Sequence, residues 1–278
     1  MEVLTTIAAV REARARLSGS VGFVPTMGAL HEGHLSLVRA ARAQNDHACV
    51  SIFVNPTQFG PNEDFASYPR DAERDLAILR AEGVDFVFLP SVEEMYPAGF
   101  ETYVDVGSVA EPLEGALRPG HFRGVATVVL KLFEIVQPAR AYFGRKDAQQ
   151  LVVVRRLARD LALPVEVVPM PTVREADGLA MSSRNAYLSP AERAAATVLW
   201  RALTLAQEMW TKSARDAEAM RARLREIIEA EALARIDYVS VADPDTLREL
   251  ERIHGRALVS LAVRVGKTRL IDNVTLGE

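Results

Sequence analysis

Val21-Gly22-Phe23-Val24-Pro25-Thr26-Met27-Gly28-Ala29-Leu30-His31-Glu32-Gly33-His34 passes from an apolar run through a glycine turn to a pair of histidines three residues apart. Residues 21–25 carry no polar side chain. That is the pattern of a strand covered on both faces, which belongs to a parallel sheet flanked by helices. A helix starting at Gly33 or His34 would bring backbone N–H groups and both imidazoles to one point, where donors and helix dipole together favour an anion. The stretch therefore points to a phosphate-handling site.

Outward from it, short apolar runs at 48–53, 86–89, 141–143 and 164–168 read as further strands. Between them, 35–41 and 72–79 have amphipathic helical spacing, and 125–136 is apolar enough for a buried helix. This alternation predicts an α/β fold, a doubly wound, Rossmann-like parallel sheet. After Pro169-Met170-Pro171 the pattern changes. A polar loop, 174–188, leads to Ser189-Pro190-Ala191-Glu192, a capping box with proline at the first helical position. Two alanine-rich helices follow, then strand-like stretches at 238–241, 257–263 and 269–272. Two domains are predicted, a Rossmann-like one over 1–172 and a smaller α+β one over 173–278. The mixed-charge stretch 214–235 reads as a solvated helix face.

The 278 residues are 49% hydrophobic and carry a net charge of −4, which offers no basic field for polyanions and favours a small substrate over nucleic acid. Cys49, the only cysteine, sits in an apolar run, which excludes disulfides and predicts a core position. The first 17 residues alternate charges with alanine, and no apolar run reaches the roughly 18 residues of a membrane span. A cytoplasmic protein without a membrane segment is expected.

Four segments carry chemistry, three of them at predicted carboxyl ends of strands, where doubly wound sheets bind ligands. In the first, Gly28 and Gly33 would let a nucleotide approach the backbone, while His31 and His34 donate to a phosphate. The plainer reading is one capping and one surface histidine, and zinc would need a third ligand. In Phe143-Gly144-Arg145-Lys146-Asp147-Ala148-Gln149-Gln150, Lys146 could neutralise phosphate charge or be a surface lysine ahead of a helix cap. Gly178-Leu179-Ala180-Met181-Ser182-Ser183-Arg184 suits a flap closing on a triphosphate, or an ordinary serine-rich loop. Lastly, Phe53-Val54-Asn55-Pro56-Thr57-Gln58-Phe59 turns at Asn55-Pro56 and offers the Gln58 amide to a hydroxy acid.

In this order, the four segments resemble the pantothenate synthetase (pantoate–β-alanine ligase) family. The first is similar to its form of the HIGH motif, and Met181-Ser182-Ser183-Arg184 to its KMSKS loop, features shared with class I aminoacyl-tRNA synthetases and nucleotidylyltransferases. Narrower matches are residues 52–59, Tyr68-Pro69-Arg70, Leu117-Arg118-Pro119-Gly120-His121-Phe122-Arg123-Gly124-Val125 and residues 142–150. The resemblance implies that pantoate and ATP give pantoyl adenylate and pyrophosphate, and that β-alanine then displaces AMP to form pantothenate, a coenzyme A precursor. It implies ATP contacts at Met27, Gly28, Ala29, Leu30, His31, Glu32, Gly33 and His34. Further ATP contacts are implied at Gly144, Arg145, Lys146, Asp147, Val173, Met181, Ser182, Ser183 and Arg184. His34, His31 and Lys146 would stabilise the transferring phosphate. Gln58 and Gln150 would hold pantoate, with Val128 and Val129 lining its gem-dimethyl pocket. Magnesium is expected with ATP, and its protein ligands are not assigned within Asp71-Ala72-Glu73-Arg74-Asp75. A homodimer is expected too. Two rivals stay open at this point: a nucleotidylyltransferase with a second phosphate site, and a non-catalytic adenine-nucleotide-binding regulator. A tRNA synthetase is disfavoured, since no anticodon-binding domain is visible.

Overall fold

The computed structural model describes residues 1–61 and 63–278. Six parallel strands make one sheet: β1 (Glu2–Leu4), β2 (Val21–Thr26), β3 (His47–Ile52), β4 (Phe86–Phe88), β5 (Arg140–Gly144) and β6 (Glu166–Met170). Their spatial order is β1-β4-β3-β2-β5-β6. The helices between them are α1 (Ile7–Arg16), α2 (Glu32–Gln44), α3 (Ala72–Ala81), the short α4 (Val92–Met95) and α5 (Glu114–Leu117), then α6 (His121–Val136) and α7 (Ala148–Asp160). The chain builds outward on both sides of β2, so the topological switch point lies at the carboxyl end of that strand.

Burial explains why these runs are strands. Val21, Phe23, Val24, Ala48, Cys49 and Val50 are all fully buried, and such strands have no solvent face on which to place polar residues. Cys49 lies in the core as expected. Thr26 pairs with Ile52, so β2 and β3 end level and open the 27–31 loop beside the 53–58 turn. The strand β1 was not predicted: its three residues hold no apolar run, and parallel pairing with β4 defines it.

The antiparallel strands β7 (Ala234–Ala242), β8 (Ala257–Val265) and β9 (Thr268–Leu276) form the second sheet, in that order. Helices α8 (Pro190–Ala195), α9 (Val198–Thr211) and α10 (Ala217–Glu229) precede it. Leu199, Leu203, Met220, Leu224 and Ile228 from these helices pack with Val239, Val259, Leu261 and Val263. Burying each such side chain contributes roughly 1.5–3 kcal/mol. The capping box of Ser189 and Glu192, with Pro190 first in α8, forms as predicted.

Two expectations need correction. The stretch 214–235 is not a solvated face: α10 buries Ala217, Met220, Leu224 and Ile228. Its Arg221 is buried as well, donating to Glu249 at 2.8 Å and to the carbonyls of Val241 and Leu250. Charges on three sides of a helix hid a stripe with apolar side chains at 217, 220, 224 and 228. Nor is 174–188 a plain loop, because Arg174 and Ala180 form an antiparallel bridge and Ser183–Tyr187 is a 3-10 helix. Contacts group 1–144 with 153–170, and 145–152 with 171–278. The pattern in the sequence puts a single cut at 172/173, whereas here 145–152, the 3-10 turn with the first residues of α7, and 171–172 group with the second unit.

Candidate active site

At the switch point the chain leaves β2 through Gly28 and Ala29, both with positive φ, +81° and +51°. Buried Asp75 on α3 fixes this loop, accepting from the N–H groups of Ala29 at 2.8 Å and Leu30 at 2.9 Å. A Cβ at position 28 would lie 2.9 Å from Asp75 Oδ2, so glycine is required there by geometry as well as by φ. The loop delivers His31 to the N-cap of α2, one residue earlier than the predicted helix start. The Nδ1 atom of His31 accepts from Gly33 N–H at 3.2 Å, and His34 Nδ1 accepts from His31 N–H at 3.4 Å. This is a reciprocal capping box built from imidazoles, with ring centroids 4.1 Å apart. Since each Nδ1 is an acceptor, the proton of each neutral ring lies on Nε2. Each ring thereby becomes a donor beside the positive end of α2.

Beside this loop, Asn55 is almost wholly buried and saturated with hydrogen bonds. Its Oδ1 accepts from Thr57 N–H, Thr57 Oγ1 and Tyr96 Oη, and its Nδ2 donates to Gly124 O and Gln58 Oε1. That network fixes the Gln58 amide with its Nε2 toward Met27 Sδ at 3.1 Å. Thioether sulfur is a weak acceptor, so this amide donor is available to a stronger one. The helix α6 packs directly on the turn: a Cβ at Gly124 would lie 2.3 Å from Thr57 O. Val128 and Val129, the predicted apolar wall, are both buried on α6.

The segment 117–125 contributes groups to which the sequence assigned no role. Arg118 holds Glu63 through two bonds, at 2.6 and 2.7 Å, and also donates to Gln58 O. His121 Nδ1–H donates to the same carbonyl at 2.8 Å, while its Nε2 accepts from Arg118 at 3.1 Å. Burial, aided by the Arg118 charge, pushes the His121 imidazole down to about 4. The depressed value works against acid: the unfolded chain takes up this proton near 6.5 and the folded one near 4. Stability is therefore complete above about 6.5 and lost as pH falls from there towards about 4. Urea unfolding should show a loss of about 2 kcal/mol between pH 7 and pH 5. His121→Gln, which keeps a donor to Gln58 O, should remove that slope.

In the second unit, Arg145–Asp147 form a 3-10 turn leading into α7. Lys146 is half-buried, its Nζ 3.8 Å from Asp147 Oδ1. Gln149 is buried and Gln150 partly so. Val173 O accepts from Met181 N–H at 3.0 Å, which ties the base of the 174–180 hairpin to the start of the predicted closing loop. Ser182 caps the 3-10 helix carrying Ser183 and Arg184, accepting from Arg184 N–H at 3.3 Å. Asn185 donates to Glu175 and to Ala180 O, so this segment is anchored at its far end as well.

A histidine-capped helix at the switch point of a doubly wound parallel sheet defines an α/β protein arranged to take an anionic ligand there. The family model described as Pantoate-beta-alanine ligase matches residues 2–275, and the chain belongs to that family. It is 66% identical, over 99% of both chains, to the pantothenate synthetase of Roseiflexus sp. (strain RS-1). The pantothenate synthetase structure from Thermus thermophilus superposes with a TM-score of 0.94 at 52% identity, covering 99% of each chain. A Francisella tularensis pantoate-beta-alanine ligase, complexed with beta-gamma ATP and beta-alanine, matches at a TM-score of 0.82 and 36% identity, over 99% of this chain and 97% of that one.

Proposed function

We infer that the chain is an ATP-dependent ligase joining pantoate to β-alanine through pantoyl adenylate. The observation that carries this is the imidazole capping box at the switch point, in a chain of the pantoate–β-alanine ligase family. A pantoate carboxylate oxygen attacks the α-phosphorus of ATP, and the bond to the β-phosphate oxygen breaks to release pyrophosphate. The β-alanine amine then attacks the acyl carbon, the bond to AMP breaks, and the amine gives up a proton as the amide forms. Both steps need positioned positive and N–H donors and no protein nucleophile.

His31 and His34 offer Nε2–H to the transferring phosphate, His34 as the proton donor, and Met27 to Gly33 supply the backbone approach. Gly144, Arg145, Lys146 and Asp147 form the second ATP segment, with Lys146 carrying charge to the phosphates. Val173 meets the adenine, and Met181, Ser182, Ser183 and Arg184 form the third segment. Gln58 and Gln150 hold pantoate by its polar groups, while Val128 and Val129 hold its methyl groups. Magnesium, expected with ATP, would be held by the nucleotide's phosphates and would neutralise their charge, since Mg²⁺ keeps waters and takes substrate phosphates rather than an all-protein cage. Among the described residues no three His, Cys, Asp or Glu side chains converge as a metal site, and Asp75 is committed to two N–H groups. No described helix is long and apolar enough to cross a membrane. The expected homodimer is tested by sedimentation.

The deciding experiment follows pyrophosphate from ATP with pantoate, with and without β-alanine. Adenylate and pyrophosphate should form with pantoate alone, and AMP and the amide only when the amine is added. Amide without pantoate, or AMP joined to a phosphorylated metabolite, would overturn the ligase reading. Gln58→Ala should raise KM for pantoate about tenfold, the effect of one or two lost hydrogen bonds. An effect confined to ATP would remove Gln58 from the pantoate contacts.

A further inference from the structure

Asn273 is a buried polar residue on β9 whose two amide hydrogens are both committed to one turn. Its Nδ2 donates to Arg145 O at 2.9 Å and to Lys146 O at 2.7 Å. Those carbonyls belong to the two peptide planes flanking the Lys146 Cα. Holding both planes fixes the backbone dihedrals of Lys146 and hence the direction in which its side chain leaves the turn.

Asn273 is itself held. Its N–H donates to Asp272 Oδ1 at 2.8 Å, and Arg174 grips the same carboxylate with both terminal nitrogens, at 2.6 and 3.0 Å. The Asp272 side chain is 1% exposed and that of Arg174 17%, so the carboxylate is shielded from water and salt and the pair largely so. Arg174 also donates to Gly178 O and lies 3.9 Å from the Trp200 ring centroid. It thereby fixes the hairpin from which Met181 begins. Two adjacent positions of β9, Asp272 and Asn273, thus link the turn bearing Lys146 to the stem of the Met181–Arg184 segment.

We propose that Asn273, braced by Asp272 and Arg174, is a positioning residue that aims Lys146 in the adenylation step and keeps its turn in register with the Met181–Arg184 segment. The inference rests on the reading of Lys146 as a phosphate contact. It acts through geometry: a displacement of about 1 Å at a positioned group costs up to 10²-fold in rate.

The test measures KM for ATP and pantoate-dependent pyrophosphate release in Asn273→Ala, Asn273→Asp, Lys146→Ala and the Lys146→Ala/Asn273→Ala double variant. Asn273→Ala should raise KM for ATP and slow release, each by about tenfold. Asn273→Asp, of equal volume but with a carboxylate oxygen against a carbonyl, should do at least as much. The double variant should be no slower than Lys146→Ala alone. KM does not depend on the amount of folded enzyme, so partial misfolding cannot imitate these results. Impaired Lys146→Ala with a wild-type KM in Asn273→Ala, or losses that multiply in the double variant, would overturn the positioning role alone. Wild-type release by Lys146→Ala would refute the phosphate role of Lys146, and with it the route through which Asn273 is held to act.

Discussion

His34→Ala is expected to slow pantoate-dependent pyrophosphate release by about a hundredfold or more, the loss typical of a removed acid–base or electrostatic group. A hundredfold corresponds to about 2.7 kcal/mol of transition-state stabilisation. The geometry lets this loss be separated from damage to the fold. At the N-terminus of α2, His34 gives an acceptor, its Nδ1 at 3.4 Å from His31 N–H, and a ring contact with His31, while His31 remains as the N-cap accepting from Gly33. The variant should therefore unfold within about 1 kcal/mol of wild type, in the range of a lost cap. His31→Ala removes the N-cap itself and should lose more stability for a smaller catalytic loss. Near-normal release by His34→Ala would take that ring out of the mechanism.

The second large effect is expected from a residue remote in sequence from the histidines. Asp75→Asn keeps the size of the side chain but turns one of two acceptors into an NH₂ facing a backbone N–H. Either Ala29 N–H or Leu30 N–H then loses Asp75 as its acceptor. Hydrogen bonds to a charged acceptor contribute about 1.5–3 kcal/mol each, and an orphaned buried donor costs about 1–3 kcal/mol. A stability loss on the order of 3 kcal/mol should follow in urea unfolding. KM for ATP should rise with it, because the carboxylate holds the loop that brings His31 to its cap. Unchanged stability would show that the loop keeps its shape without Asp75.

The parallel sheet was legible in the sequence because a strand buried on both faces is an unbroken apolar run, as at Phe23, Val24 and Val50. Strand ends were displaced by a residue or two, since hydrogen bonding runs past the apolar run at Thr26 and at His47. The histidine pair was legible as a helix start, and α2 begins there. Hidden were the groups that hold the site's residues by bonds across long stretches of chain. Asp75 serves Ala29 and Leu30, Asn55 serves Gly124, and Asn273 serves Arg145 and Lys146. A side chain bonded to a distant backbone leaves no periodic trace, and each of these residues taken singly looks like an ordinary turn or surface polar residue.

The edge strand β1 has a consequence for how the sheet is assembled. Glu2 pairs with Phe86 and Leu4 with Phe88, so the strand that leaves the ribosome before the others of its sheet has no neighbour until β4 has been synthesised. The contact then closes around it: Leu89 N–H donates to Leu4 O, and Glu94 accepts from Ile7 N–H at the start of α1. Ribosomes add roughly 5–20 residues per second. For several seconds, therefore, residues 2–4 have no strand to pair with, before β4 emerges and the sheet draws them in.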